Sequence, residues 1–179
     1  MNLWERAAKT GLQRTSAFSC KVAKLAVASS NSPARTKYQG ERDGVSVIHV
    51  TSTGLIVRGD RVLLGRRTST TRFAGMWDAF GGHLVPCEEP AMALVREIEE
   101  ELGIRVKGPR FLGIYEDIDP TSKDIFRHYL FLVTSWEREP RIANEEHSEI
   151  RWFRFEDAAR LELASSLKEA IRRLVSAKA

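Results

Sequence analysis

Glu97, Glu100 and Glu101 stand at i, i+3 and i+4, the spacing that places three carboxylates on one face of a helix. Leu94, Val95, Ile98 and Leu102 fall on a different arc and can pack into a core. Three like charges at these separations repel by ~0.2–0.5 kcal/mol per pair, so a counter-cation would relieve a local conflict. Ligands that are all oxygen suit Mg2+ or Mn2+ rather than zinc. Alone, the same face also fits a solvated helix surface.

The helix that carries these glutamates is marked at both ends. Pro90 sits where the first helical residue belongs, Glu88 and Glu89 favour the positive N-terminal end, and Gly103 is placed to close the C-terminus. A polar loop from Thr68 to Gly75 and the run Met76-Trp77-Asp78-Ala79-Phe80-Gly81-Gly82 lead into it. Upstream, Val45 to Val50, Gly54 to Val57 and Arg61 to Leu64 read as strands, with Arg58-Gly59-Asp60 as the turn of a hairpin. Downstream, Phe111 to Tyr115, Tyr129 to Val133 and Ile150 to Phe155 are β-like. Leu167, Ala170, Ile171 and Leu174 at i, i+3, i+4 and i+7 predict a last amphipathic helix.

Composition bounds the remaining classes. The 179 residues are 42% hydrophobic and 29% charged, which suits one α/β domain with a core of its own. Charges interrupt every apolar run before it reaches the ~20 residues of a membrane span. Two cysteines, Cys20 and Cys87, are too few for a disulfide framework or a zinc set. Residues 1–43 hold eight basic side chains against three acidic ones, a balance of +5, which leaves the rest at −1 of a total of +4. A nearly neutral body argues against a broad nucleic-acid groove. The division is therefore a basic tail over 1–43, expected to be disordered, and a folded domain over 44–179. A cytoplasmic location is expected, with organelle import as the alternative if the acid-poor tail is a transit peptide.

From Gly82 the chain reads Gly82-x5-Glu88-x7-Arg96-Glu97-Ile98-x-Glu100-Glu101-x-Gly103-Ile104. Seven fixed identities and two apolar positions would coincide by chance at odds on the order of one in a million or less. This stretch matches every specified position of the Nudix box, and the chain resembles the Nudix hydrolase family over roughly residues 45–175. The resemblance implies an α/β/α sandwich around a mixed sheet. It implies Mg2+, with Mn2+ able to substitute, held by Glu97, Glu100, Glu101 and the carbonyl of Gly82. Arg96 would orient a carboxylate, Glu88 would brace the loop, and Gly103 would close the helix. Candidates for the general base are Glu100 and Glu97 in the box, and Glu145 and Glu146 in the later acidic loop.

Ala74 to Gly82 is similar to the MutT branch of that family, which implies hydrolysis of a nucleoside triphosphate to monophosphate and pyrophosphate. Arg67 would face the phosphates, with a structural or solvated strand-end arginine as the alternative, and Gly81 would be a further substrate contact. Trp77, Phe80 and Phe73 could stack on a base, with core packing the alternative role for at least two of them. Where MutT reads 8-oxoguanine with an asparagine, the matching register gives Ala164-Ser165-Ser166. Cys87 replaces the glycine usual before the first box glutamate. Pro120 stands near where relatives that cleave ADP-ribose carry a proline, so ADP-ribose or a nucleotide sugar is the alternative substrate. A non-catalytic domain that senses nucleotides or binds protein is the alternative of another class. The implied partner is a small nucleotide, and a monomer or homodimer is expected.

Overall fold

The computed structural model describes residues 47–71, 73–119 and 121–176. The readings made on the 1–43 tail and on Pro120 lie outside them. Strand β1 (Ile48–Arg58) turns through Gly59 and Asp60 into β2 (Arg61–Arg67), followed by the short β3 (Trp77–Asp78) and β4 (Phe80–His83). Helix α1 (Pro90–Leu102) comes next, then β5 (Arg105–Val106), β6 (Arg110–Ile118), β7 (Ile125–Val133), β8 (Trp136–Glu137) and β9 (His147–Arg154). Two helices close the order, α2 (Phe155–Ala158) and α3 (Ser165–Ser176). One sheet runs β3-β2-β1-β7-β6, with β4 also paired to β1 and β9 to β2. It is mixed, because β1 and β7 are parallel while the other pairs are antiparallel.

Side-chain alternation along the central strands builds the layers. Leu55, Val57, Val62, Leu64 and Leu130 point to one face, where Leu167, Ala170 and Ile171 of α3 cover them. Ile56, Leu63, Phe131 and Val133 point to the other, against Leu94, Ile98 and Leu102 of α1. Each fully buried leucine or isoleucine stabilises by about 1.5–3 kcal/mol. The result is the α/β/α arrangement expected from the sequence. No helix among the described residues is long and apolar enough to cross a membrane.

The ends of α1 follow their signals. Pro90 occupies the first turn, and Gly103, at φ 63°, donates its N–H to the Glu99 carbonyl at 2.9 Å. Ser52 of β1 is fully buried and its hydroxyl donates to the Pro90 carbonyl at 2.7 Å, which ties the start of the helix to the sheet. The sequence pattern leaves residues 51–53 between two strands, Val45 to Val50 and Gly54 to Val57, whereas β1 is continuous from Ile48 to Arg58. The strand runs on through Gly54, where α1 approaches, and a Cβ at Gly54 would lie 2.8 Å from Ile98 Cδ1.

Strands β6 and β7 are each longer than their apolar cores predict. Their extra residues pair to the tip, Glu116 opposite Arg127 and Ile118 opposite Ile125. These residues are largely polar, which conceals the strand from a hydrophobicity pattern.

Candidate active site

Two adjacent glycines set how closely β4 and α1 approach. Gly81, at φ 141°, lies so near β1 that a Cβ would come within 2.0 Å of the Ser52 carbonyl oxygen. Its N–H donates to Glu101 Oε2 at 2.8 Å. At Gly82 a Cβ would meet the Glu97 carboxyl carbon at 2.5 Å, so the Glu97 head group occupies the space that a side chain would take.

Arg96 organises the same face. Its Nε and Nη2 donate to the two oxygens of Glu88 at 2.9 Å each, a bidentate pair. Nη1 donates to Glu97 Oε1 at 2.6 Å, and Nη2 reaches the His83 carbonyl at 3.2 Å. Glu88 Oε2 also accepts from the Val85 N–H at 3.0 Å, so the loop between β4 and α1 closes on this arginine. The hydrogen bonds from Arg96 hold the Glu88 carboxyl below its ordinary value. Cys87 lies in that loop at φ 68°, the conformation for which glycine is favoured.

Burial raises Glu97 despite Arg96, with Glu100 and Glu146 adding to the rise. Glu101 is 3% exposed, and burial pushes its carboxyl well up, with Glu146 and Glu97 again contributing. Four carboxylates therefore crowd one another, and among the described residues Arg96, Arg67 and the Gly81 N–H offset them. Glu100 is the outermost, with 59% of its side chain exposed and Arg96 Nη1 at 3.6 Å. Among the described residues no three such groups yet converge on one point. Arg96 holds Glu97 to one side and the Gly81 N–H holds Glu101 to the other. The donor set nevertheless fits a hard divalent cation, being carboxylate and carbonyl oxygen with more negative charge than the two arginines balance.

A cleft of about 580 Å³ opens beside these residues, within the range of small-molecule sites. Its floor consists of alternate residues from two parallel strands, His49, Thr51 and Thr53 of β1 opposite Phe126, His128 and Leu130 of β7. The His49 ring stacks on Phe126 at 4.5 Å and 11°. Thr51 Oγ1 and His128 Nδ1 lie 2.7 Å apart. Asp117 of β6 faces His128 Nε2 at 3.5 Å and accepts from both the N–H and the hydroxyl of Ser166. Burial alone would raise Asp117, but the bonds from His128 and Ser166 outweigh it and hold the carboxyl low. Burial lowers His83, and His49 and His128 lower it further. Burial raises Asp78, with Arg67 opposing.

The residues picked out in the sequence divide on this geometry. Arg67, Trp77, Gly81, Gly82, Glu97 and Glu146 line the cleft, as do Phe73 and the Ala164-Ser165-Ser166 register. Arg67 reaches it because the β2–β9 register shifts between Arg66 and Arg67, a bulge that re-aims the side chain. Its guanidinium lies 3.8 Å from Asp78 and 3.7 Å from Glu146. Phe80 is a correction: fully buried in the core under α1, it has no surface on which a base could stack. Three positions apart on extended backbone, Trp77 and Phe80 face opposite sides of the sheet, Trp77 to the cleft and Phe80 to the core. Glu145 and Glu100 do not line the cleft, although Glu146 does.

His49, His83, His128, Asp78, Asp117 and His147 escaped the sequence reading. The i, i+2, i+4 row of His49, Thr51 and Thr53 was the available signal. His147 is 4% exposed, and burial, then the charge of Arg67, lower it to about 4.

Gly82→Ala is expected to reduce turnover about tenfold or more by displacing Glu97. The obstructing group is a flexible side chain, so the thermal midpoint should stay within a few degrees of wild type. Parallel kinetics and thermal melts check this, and wild-type turnover would contradict the Glu97–Gly82 contact.

The NUDIX domain family model matches residues 45–174. Diphosphoinositol polyphosphate phosphohydrolase 2 of Mus musculus is 35% identical over 108 residues, covering 57% of this chain and 54% of that protein. Diphosphoinositol polyphosphate phosphohydrolase 3-alpha of Homo sapiens is 35% identical over 111 residues, 58% of this chain and 61% of its own. The match thus spans little more than half the length of these curated relatives. Among solved structures, the MutT NUDIX hydrolase from Burkholderia pseudomallei superposes with a TM-score of 0.65 at 29% identity, covering 70% of this chain and 96% of that one. The E. coli ORF135 protein gives 0.63 at 25% identity, with 75% and 93% covered. With the glutamates of α1, Gly82 of β4 and the Glu88 loop gathered beside the cleft, and the family model matched over most of the chain's length, the chain belongs to the NUDIX domain family.

Proposed function

We propose that this protein hydrolyses a nucleoside triphosphate to the monophosphate and pyrophosphate, using a divalent cation held by Glu97, Glu100, Glu101 and the Gly82 carbonyl. The supporting observation is the make-up of the cleft wall. Among its described residues Arg67 is the one arginine or lysine, whereas His49, Phe73, Met76, Trp77 and Phe126 offer flat or apolar surface. A diphosphoinositol polyphosphate, the compound named for the curated relatives, bears phosphates all round its ring and would call for cations on several sides. A nucleotide concentrates its charge at one end and presents a flat base at the other.

A bound divalent cation would neutralise charge on the non-bridging oxygens and acidify an attacking water. The chain's own residues supply the rest. Arg67, at the mouth of the carboxylate cluster, pairs with a phosphate oxygen. Arg96, gripped by Glu88, fixes Glu97 against Gly82. Glu146 lines the cleft 3.7 Å from Arg67, whereas Glu100 and Glu145 do not line it, and we take Glu146 as the base that accepts the proton from water. His49 on Phe126, with Trp77 beyond, provides the stacking surface for the base.

Product chromatography tests the reading, with canonical nucleoside triphosphates, ADP-ribose, nucleotide sugars and a diphosphoinositol polyphosphate, each in Mg2+ and in EDTA. Monophosphate and pyrophosphate from triphosphates are expected, with EDTA reducing turnover to background. Turnover of ADP-ribose or of the inositol compound, with triphosphates untouched, would overturn the substrate assignment and leave the cation site standing.

A further inference from the structure

His147 opens β9 and carries a polar ring in a place where an apolar one would be expected. Its side chain is 1% exposed, and neither ring nitrogen has a hydrogen-bond partner. Burying such groups unpaired costs free energy that a hydrocarbon ring would not. The ring has little room to turn elsewhere. It lies flat on β2 at Gly65, where a Cβ would come within 2.4 Å of its Cδ2, and the Phe80 ring packs on it at 5.0 Å. The polar group it faces is Glu101, with Nδ1 3.9 Å from Oε1, about 1 Å beyond a hydrogen bond. The other oxygen of that carboxylate is already held by the Gly81 N–H at 2.8 Å.

We propose that His147 is a positioning residue for the cation site: its Nδ1–H holds Oε1 of Glu101, so the buried carboxylate is gripped from two sides and its free lone pairs face the ion. This rests on the cation reading given above. Each carboxylate oxygen has two acceptor positions, so one can take a protein N–H and the other remain for a ligand. Partners of this kind, standing behind the ligands, change metal affinity about 10–100-fold when removed. Gly65 belongs to the device, because any side chain there would expel the ring from its seat.

Mn2+ binding to the full chain, followed by loss of the free-ion electron paramagnetic resonance signal, tests this without relying on turnover. His147→Phe keeps the ring shape and removes both nitrogens. It is expected to weaken Mn2+ binding about tenfold or more while leaving the thermal midpoint in EDTA unchanged or raised. His147→Asn, whose side-chain amide stands near the Nδ1 position, is expected to bind within about threefold of wild type. If the phenylalanine ring crowds Gly65 and lowers the midpoint, His147→Leu, smaller and equally without a donor, makes the same comparison. Wild-type affinity in the correctly folded Phe or Leu variant would overturn the proposal. So would an Asn variant as weak as Phe, since packing would then be what matters. If wild type itself bound no Mn2+, the cation reading would fall, and this proposal with it.

Discussion

Glu97→Gln is expected to lower turnover about a thousandfold, with little change in thermal stability. The amide keeps the volume and one acceptor for Arg96 Nη1, which now lies 2.6 Å from Glu97 Oε1. It removes the charge that a cation beside Gly82 would need. Charge stabilisation by a metal ion is worth several kcal/mol, and each ~1.4 kcal/mol is tenfold in rate. Stability should hold because the native carboxylate is under strain. Its pKa is raised by burial, and Glu100 and Glu146 add to the rise, so neutralising it removes repulsion. Steady-state kinetics beside a thermal melt check both halves. A kcat within about tenfold of wild type would sink the assignment of Glu97 to the cation.

Gly81→Ala should have the largest effect on folding. A methyl group there would sit 2.0 Å from the Ser52 carbonyl oxygen and 2.9 Å from Thr53 Cα, both of them backbone, on a residue at φ 141°. Left-handed strain of this kind costs on the order of 1–3 kcal/mol, and overpacking costs a similar amount. The β1–β4 pairing, in which Thr53 opposes Gly81, would have to open. A loss of about 3–5 kcal/mol, or a fall in midpoint on the order of 10 °C or more, is expected. The neighbouring Gly82→Ala meets the end of the Glu97 side chain rather than backbone and should be milder for folding, so the pair separates backbone fit from site geometry. A wild-type melting profile for Gly81→Ala would show that β4 does not approach β1 as described.

What the sequence made legible is local. Pro90 and Gly103 bracket α1, Glu97, Glu100 and Glu101 share its face, and the spacing of Leu167, Ala170, Ile171 and Leu174 marks α3. Each of these depends on residues within a few positions of one another. The cleft does not. Thr51 and His128 meet across 77 positions, and the parallel pairing that brings them together leaves no local periodicity to read. The ends of β6 and β7 were missed for a related reason, since Glu116, Asp117, Arg127 and His128 put polar groups where a strand is usually recognised by its apolar ones. Phe80 was misread as a stacking surface because the pleat around Ala79, which decides whether Trp77 or Phe80 faces the ligand, is set by β1 and β2. His147 gave no sign of itself. Only its burial against Gly65 and Glu101 makes it conspicuous.

The proposed cation on the glutamate face of α1, at which a nucleoside triphosphate would be split, can be tested on the reaction itself. The most direct measurement is phosphorus NMR of the purified full chain with one triphosphate, first in EDTA, then after excess Mg2+. Unchanged triphosphate signals are expected in EDTA and, on adding Mg2+, their replacement by monophosphate and pyrophosphate. Hydrolysis that proceeds equally in EDTA, or an inert triphosphate in Mg2+ for every base tried, would contradict the proposal.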